Sequence, residues 1–425
     1  MKILQNLLLF YFIILFGCNS KSKQVNHFTS LNDTIILVTD KIKGNGIFQG
    51  EACEMIFKDT TERYLYPVLF PKNIKDIKLA YQHIDFKPFK YKFLKNDTSD
   101  NLANFLKENY PPKIDTLNLP TLKENYICIM SGRIGQDTIF IVDENGNQDF
   151  RDDSVRHYKK IDWESTSGLI KCKHIIYNGK GRVKDSSWVD IGFVMNGEWF
   201  YSVPQHLVSN FSIDSQDYQV GIKDSQMDFC FDSPIMALLA ENGIKKDTLL
   251  VSDLLSKGEY LKLKNSYYRF ENVSNDGKYI TLIREKDFDS KIGVQVGMKA
   301  PDFNCPSIDG NSASLSEYKG KYLLLINVTG CWSKVSSYEC YKNITETYKG
   351  KIEFLGIDNS LEILRQNIKN LKLTGRFIIA DNNQIIQKAF RPSYCSRTCF
   401  LINPEGRIID KFEIFDWKSN LGKIF

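Results

Sequence analysis

The apolar pattern of the chain changes period near residue 290, and that change constrains the fold more than any other feature. Between about Ile36 and Leu282, apolar residues come in short runs rich in β-branched and aromatic side chains. Thr34–Val38, Tyr126–Met130, Thr138–Val142, Trp188–Val194 and Lys278–Ile283 are examples, bounded by turn residues such as Asn196-Gly197 and Asn275-Asp276-Gly277. Helical candidates are few in this stretch: Asn101 to Asn109, and Pro234 to Glu241. The spacing predicts a mostly antiparallel β domain over residues 31–288, built as one or two packed units.

Downstream of a connector at Lys291–Ala300, strands alternate with helices. The order reads strand Tyr322–Val328, helix Ser333–Tyr348, strand Ile352–Ile357 and a helix over Leu361–Leu371 that keeps Leu364, Ile368 and Leu371 on one face. Strand Phe377–Ala380, a short helix to Phe390, and strands Thr398–Ile402 and Arg407–Phe415 complete it. Alternation ending in a hairpin predicts an α/β sheet with an antiparallel edge over residues 289–425. A length of 425 residues fits two or three domains. The net charge of +5, from 56 basic and 51 acidic residues, is too mild for a nucleic-acid partner, and no basic stripe interleaved with aromatics is present.

The N-terminus carries a separate signal. Met1-Lys2 is followed by an apolar run from Leu7 to Phe16 and then Gly17-Cys18, which reads as a secretory signal peptide over residues 1–18. Leu15-Phe16-Gly17-Cys18 resembles the bacterial lipobox, in which cleavage leaves the cysteine N-terminal and acylated, so Cys18 is the expected lipidation site. At about 0.8 kcal/mol per buried methylene, two or three acyl chains hold a protein on a membrane. Residues 19–30 are polar and lysine-rich, as a tether would be. The expected location is the cell envelope, with the soluble part periplasmic or outward-facing. Of ten cysteines, nine then remain where disulfides can form, and the odd number leaves at least one thiol unpaired.

One acidic segment recurs. Asp143-Glu-Asn145-Gly-Asn147-Gln-Asp149-Phe150 returns loosely as Asp224-Ser-Gln-Met-Asp228-Phe-Cys230-Phe231. Alternating oxygen side chains are how a loop gathers calcium ligands, which would make Asp143, Asn145, Asn147, Asp149 and Asp153 the metal set. Gly146 sits two places too early for an EF-hand, and no glutamate closes the loop, so a hairpin turn of Asx residues is the competing reading. No other cofactor is expected, and there is no glycine-rich phosphate loop.

The C-terminal third resembles the thioredoxin-like family of membrane-anchored thiol–disulfide oxidoreductases (TlpA and ResA types, within the AhpC/TSA-redoxin superfamily). The residues that carry the resemblance are Gly297 with Ala300-Pro301-Asp302-Phe303, and Asp309-Gly310 with Leu315-Ser316 and Lys319-Gly320-Lys321. Phe354-Leu-Gly-Ile-Asp358 and Phe400-Leu-Ile-Asn-Pro-Glu-Gly406 extend it over about residues 292–415. The resemblance implies a thioredoxin fold and a Cys-x-x-Cys pair opening the first helix, where a lowered pKa makes the first thiol a nucleophile and the second resolves the mixed disulfide. This chain has Asn327-Val-Thr-Gly-Cys331-Trp332-Ser333-Lys334-Val335 instead. An ungapped count puts Trp332 and Val335 at the two cysteine positions. A one-residue deletion, which the helix contacts favour, puts Cys331 and Lys334 there. The family's cis-proline slot reads Cys395-Ser396-Arg397.

The resemblance makes Cys331 the reactive thiol. Beyond what the family pattern supplies, Lys334 and the helix N-terminus are its expected stabilisers, and Cys395, on the facing segment, is a cross-site resolving partner that would replace the missing pair. Cys340 and Cys399 are either a second pair or plain buried thiols. Arg397 also matches the arginine that peroxiredoxins of this fold set before the same strand. Three readings follow: an oxidoreductase with an atypical site acting on exported protein thiols, a non-catalytic module binding a membrane-associated partner protein, and a one-cysteine peroxidase. The histidines (His27, His83, His157, His174 and His206) all lie outside the C-terminal domain, which excludes a Cys–His hydrolase or a histidine-dependent copper chaperone there. Cys172-Lys-His174 alone is no zinc site.

Overall fold

A computed structural model describes residues 29–31, 33–59, 68–88, 125–178, 180–194, 197–225, 227–329, 335–380, 384–390 and 397–425. The predicted helix at Asn101–Asn109 lies outside these residues. Strands β1 (Thr34–Val38) and β2 (Asp40–Lys43) follow one another directly, yet they enter different sheets. The bend is at Thr39, whose hydroxyl donates to the Gly277 carbonyl and whose N–H donates to Lys278 O at 3.1 Å. These bonds fix the corner from the facing turn.

Between β2 and the next strand of its sheet the chain inserts a second β unit. Its strands are β3 (Lys75–His83), β4 (Tyr126–Ile134), β5 (Asp137–Val142), β6 (Ile170–Tyr177) and β7 (Arg182–Gly192). Short strands Cys53–Glu54 and Phe200–Ser202 extend the β6–β7 sheet. Alternation works as the sequence implies. Ile127, Ile129, Phe140 and Val142 face Cys172, Val189, Ile191 and Tyr201, while Met130, Ile139 and Ile141 pack on Phe150 on the opposite face.

The first unit resumes with β8 (Gln205–Ile213), β9 (Gln216–Asp224), β10 (Pro234–Glu241), β11 (Tyr260–Leu263), β12 (Ser266–Val273) and β13 (Tyr279–Glu285). One sheet holds β10-β9-β8-β2 and the other β1-β13-β12-β11, with Leu37, Leu207, Val220, Ile222, Met236, Phe270 and Leu282 sandwiched between them. Pro234–Glu241 is therefore a strand, not the helix its sequence allowed. Met236 faces the sandwich core while Ala237 and Leu239 pack on Phe48, so both faces are buried. A short run that is apolar on both faces does not distinguish helix from strand by period; pairing with β9 decides it.

The connector packs on the β sandwich. Phe288 stacks on Tyr267 (3.7 Å between centroids) and meets Tyr260 edge-on, with Met298 completing the cluster. Gln295 exchanges two hydrogen bonds with the Tyr260 main chain.

The C-terminal domain has a five-stranded sheet in the order β16-β15-β14-β17-β18, with β14 Leu323–Asn327, β15 Glu353–Asp358, β16 Arg376–Ile379, β17 Thr398–Ile402 and β18 Ile408–Glu413. β14, β15 and β16 are parallel, β17 pairs antiparallel with β14, and β18 pairs antiparallel with β17. This is a thioredoxin-like fold. Helices α1 (Val335–Thr347), α2 (Leu361–Leu371) and α3 (Trp417–Leu421) cover one face through Tyr338, Tyr341, Ile344, Leu364, Trp417 and Leu421. Phe303, Ala313, Ile386 and Phe390 cover the other. β14 is wholly buried at all five positions, as a central strand with two covered faces requires. The Ser360 hydroxyl caps α2 by accepting from Ile363 N, and Lys372 ends it in the left-handed region. Arg407 holds the connector by donating to Gly297 O and Asp289 O, and a Lys411–Glu259 ion pair at 3.8 Å reaches the β sandwich.

Candidate functional site

Topology places the site at the end of the sheet where β14 and β15 stop. The chain leaves β14 at Asn327, passes buried Val328 and Thr329, and re-enters the described residues at Val335, the first residue of α1. On the neighbouring side it re-enters at Arg397 and starts β17 at Thr398. Cys331, Lys334 and Cys395 lie outside the described residues.

Asn327 joins the two sides. It is wholly buried, and its amide Nδ2 donates to Phe390 O (2.9 Å) and Thr398 O (2.7 Å), the carbonyls flanking the 391–396 segment on either side. The end of the strand that leads into the Cys331 loop therefore fastens both anchors of the Cys395 segment. Sequence reading passed over Asn327. A polar residue closing an otherwise apolar buried strand was the available signal.

Arg397 is half-buried, with its guanidinium 5.9 Å from the centre of the Phe415 ring and its carbonyl accepting from Ile414 N at 3.0 Å. Its charge partly offsets the burial that raises the Glu413 carboxyl above its ordinary range. Beyond β15, Asp358 is wholly buried. It accepts from the Tyr338 hydroxyl (2.7 Å) and from the N–H groups of Asn359 and Ser360. Burial first, and the Asp358 charge second, push the Tyr338 phenol up, so it stays a donor. This pair ties α1 to the same end of the sheet.

The described cysteines of the domain (Cys305, Cys340 and Cys399) are free thiols. Cys340 and Cys399 are thus plain thiols rather than a second bridge. Both are pushed up by burial, Cys399 well above the ordinary range with Glu413 and Cys340 adding, and Cys305 is raised likewise. None of the three is poised as a thiolate. Around the site end stand Val335, Leu361, Ile363, Ile385 and Phe415, each more than a third exposed. They follow the ends of β14, β15, β16 and β18, and so stand toward the same end of the sheet.

The residues of the expected calcium set lie in a loop closed largely by their own hydrogen bonds. Asp143 accepts from the N–H groups of Gly146, Asn147 and Gln148, Asn145 Oδ1 from Asn147 N, and Asn147 Oδ1 from Asp149 N. Asp149 is held by Arg151 in a two-point pair, and Asp153 Oδ1 accepts from Glu144 N. Most of these oxygens close the loop as Asx turns do, while Asp149 is engaged with Arg151 and Asp153 Oδ2 is buried without a hydrogen-bond partner among the described residues. Burial, with the Asp143, Asp152 and Glu144 charges adding, pushes Asp153 up to about 6.

Residues 296–411 match the family model of the AhpC/TSA family. A chloroplastic protein of Arabidopsis thaliana that carries the name glutathione peroxidase 7 is 31% identical over 81 residues, 19% of this chain and 35% of that protein. The chain thus spans about a third of the curated relative it matches. Among solved structures, the thioredoxin domain of a thiol-disulfide oxidoreductase from Bacteroides vulgatus is 22% identical, covering 31% of this chain and 98% of that one with a TM-score of 0.27. A thiol:disulfide interchange protein from a Bacteroides species is 21% identical, covering 31% and 90%, also at 0.27.

Proposed function

With a thioredoxin-like C-terminal domain of the AhpC/TSA type as premise, we propose that this chain is an envelope lipoprotein performing thiol–disulfide exchange through an atypical site. Cys18 is its acylated anchor. Cys331 attacks a disulfide of an exported protein, forming a mixed disulfide and releasing one substrate thiolate. Cys395 then attacks the Cys331 sulfur, releasing the second substrate thiolate. Two electrons pass from the Cys331–Cys395 dithiol to the substrate, which leaves as a dithiol, and the protein keeps a cross-site disulfide. Lys334 and the start of α1 favour the Cys331 thiolate electrostatically. The observation that carries the reading is the Asn327 amide, which fastens both anchors of the Cys395 segment to the strand leading into Cys331.

A second reading, a non-catalytic module for a membrane-associated partner protein, draws on the exposed apolar side chains of Val335, Leu361, Ile363, Ile385 and Phe415. Peroxidase chemistry would need Arg397, whose guanidinium lies 5.9 Å from the Phe415 ring centre, to serve Cys331.

Trapping thiols in the acylated protein separates these readings. Exchange requires a Cys331 that labels rapidly at neutral pH, a reductant-sensitive Cys331–Cys395 linkage by mass spectrometry, and disulfide reduction abolished by Cys331→Ser. Inert Cys331 with no reduction of a protein disulfide would leave the binding module. Peroxide consumption by the Cys395→Ser variant would favour the peroxidase. Loss of palmitate incorporation in Cys18→Ala tests the anchor.

A further inference from the structure

The inner face of the β10-β9-β8-β2 sheet fills the sandwich, while its outer face is covered by the loop that follows β2. Phe48 of that loop packs on Ala237 and Leu239 of β10, with Leu249 and Leu254 from the segment after β10. Gly221 on β9 permits this approach, because a Cβ there would come 2.9 Å from Phe48 Cε2. Alternation along β9 sends Val220 and Ile222 into the sandwich core and leaves Lys223 on the outer face.

A cleft of about 410 Å³ lies between the loop, the ends of β9 and β10, and residues 247–254. Phe48, Ile235, Leu249 and Leu254 give it apolar walls, and the exposed Glu51 and Asp247 mark where it opens to solvent. Lys223 also lines it, yet is only 8% exposed. Its Nζ donates to Asn45 Oδ1 and to Gln49 O, both at 2.7 Å. Both acceptors are neutral, and among the described residues no carboxylate forms an ion pair with it. Glu51 acts on it from longer range and favours the ammonium, and His206 on β8 is the other titratable group that shares its field. Burial outweighs Glu51 and brings the Lys223 amine down to about 8.

Taking an ammonium out of water without a paired carboxylate is costly for stability alone. In an apolar pocket it yields a neutral, nucleophilic amine near neutral pH. Glu51, Asp224 and Asp247 line the same cleft, which disfavours an anion, whereas the apolar walls suit an uncharged molecule. We propose that this cleft takes a small apolar aldehyde and that Lys223 captures it as an imine. Nζ attacks the carbonyl carbon, the carbonyl oxygen leaves as water with both amine protons, and a C=N bond replaces the C=O bond. No electrons are exchanged. The site belongs to the β sandwich and does not rest on the thiol chemistry of the C-terminal domain.

Reductive trapping on the full chain tests this. Benzaldehyde is the probe, cyanoborohydride reduces any imine to a stable secondary amine, and peptide mass spectrometry locates the modified lysines. An ordinary lysine ionises near about 10.4, so at about pH 7 Lys223 should be labelled at least about tenfold faster than the exposed Lys257 and Lys264. Its rate should level off above about pH 8, and urea should erase its advantage. Glyoxylate, whose carboxylate the cleft repels, should show a smaller preference for Lys223. Leu249→Asp, which places a charge in the cleft wall, should slow Lys223 labelling several-fold and leave Lys257 and Lys264 unchanged. Lys223 labelled no faster than those two lysines would overturn the proposal. So would a selectivity that persists in urea, that glyoxylate matches, or that Leu249→Asp leaves intact.

Discussion

Replacing Asn327 by leucine isolates what the fastening amide contributes. Leucine fills a similar volume in a wholly buried position, so packing changes little, but both donors disappear. The carbonyls of Phe390 and Thr398 lose bonds of 2.9 and 2.7 Å in a region without solvent. Each loss costs between the net worth of a hydrogen bond and the full price of an unsatisfied buried carbonyl, so the sum is about 2–4 kcal/mol. That is a large part of the ~5–15 kcal/mol typical of a domain. Asn327→Asp is the sharper perturbation, because a carboxylate would face two carbonyl oxygens with nothing to donate. It should be less stable than Asn327→Leu at about pH 8 and should recover on acidification, since the protonated acid again donates one bond. Urea unfolding followed by tryptophan fluorescence measures both, and the rate of Cys331–Cys395 bond formation should fall in both. An Asn327→Leu chain within about 0.5 kcal/mol of wild type, or an aspartate variant without pH dependence, would refute the reasoning.

Acid stability should depend on His174, stacked on Phe229 and held at about 4 by burial. Its unfolded form binds a proton near about 6.5, so its contribution is complete above that pH and lost as pH falls toward 4; His174→Gln should flatten the acid limb of a pH–stability profile. Gly356→Ala would bring its Cβ to 2.2 Å from Phe377 Cδ1, in a wholly buried layer closed by Tyr341. Overpacking of this kind costs about 1–3 kcal/mol, and a thermal melt should show it. Asp143→Ala removes the acceptor of three N–H groups and should cost about 2–4 kcal/mol equally in calcium and in chelator; calcium-dependent rescue in wild type alone would restore the metal reading.

The sheet of the C-terminal domain was legible because its signals are local. A wholly apolar strand at Leu323–Asn327, helix faces such as Leu364 with Ile368, and the Pro404–Gly406 turn each carry their meaning within a few residues. Pro234–Glu241 was not legible, because burial on both faces erases the period that separates strand from helix. The site divides along the same line. Cys331 and Arg397 stand out by type and motif, but Asn327 acquires its role only from carbonyls 63 and 71 residues away. The acidic echo makes the point most clearly. Both copies begin at a strand end and close on a buried phenylalanine, Phe150 or Phe231. The copy with the better ligand spacing turns many of its oxygens onto its own main chain. The degraded copy turns inward against Asp85 and Lys87, which lie more than 140 residues upstream of Asp228. Spacing reports what a loop can present to solvent; what it meets in the interior is set by the fold.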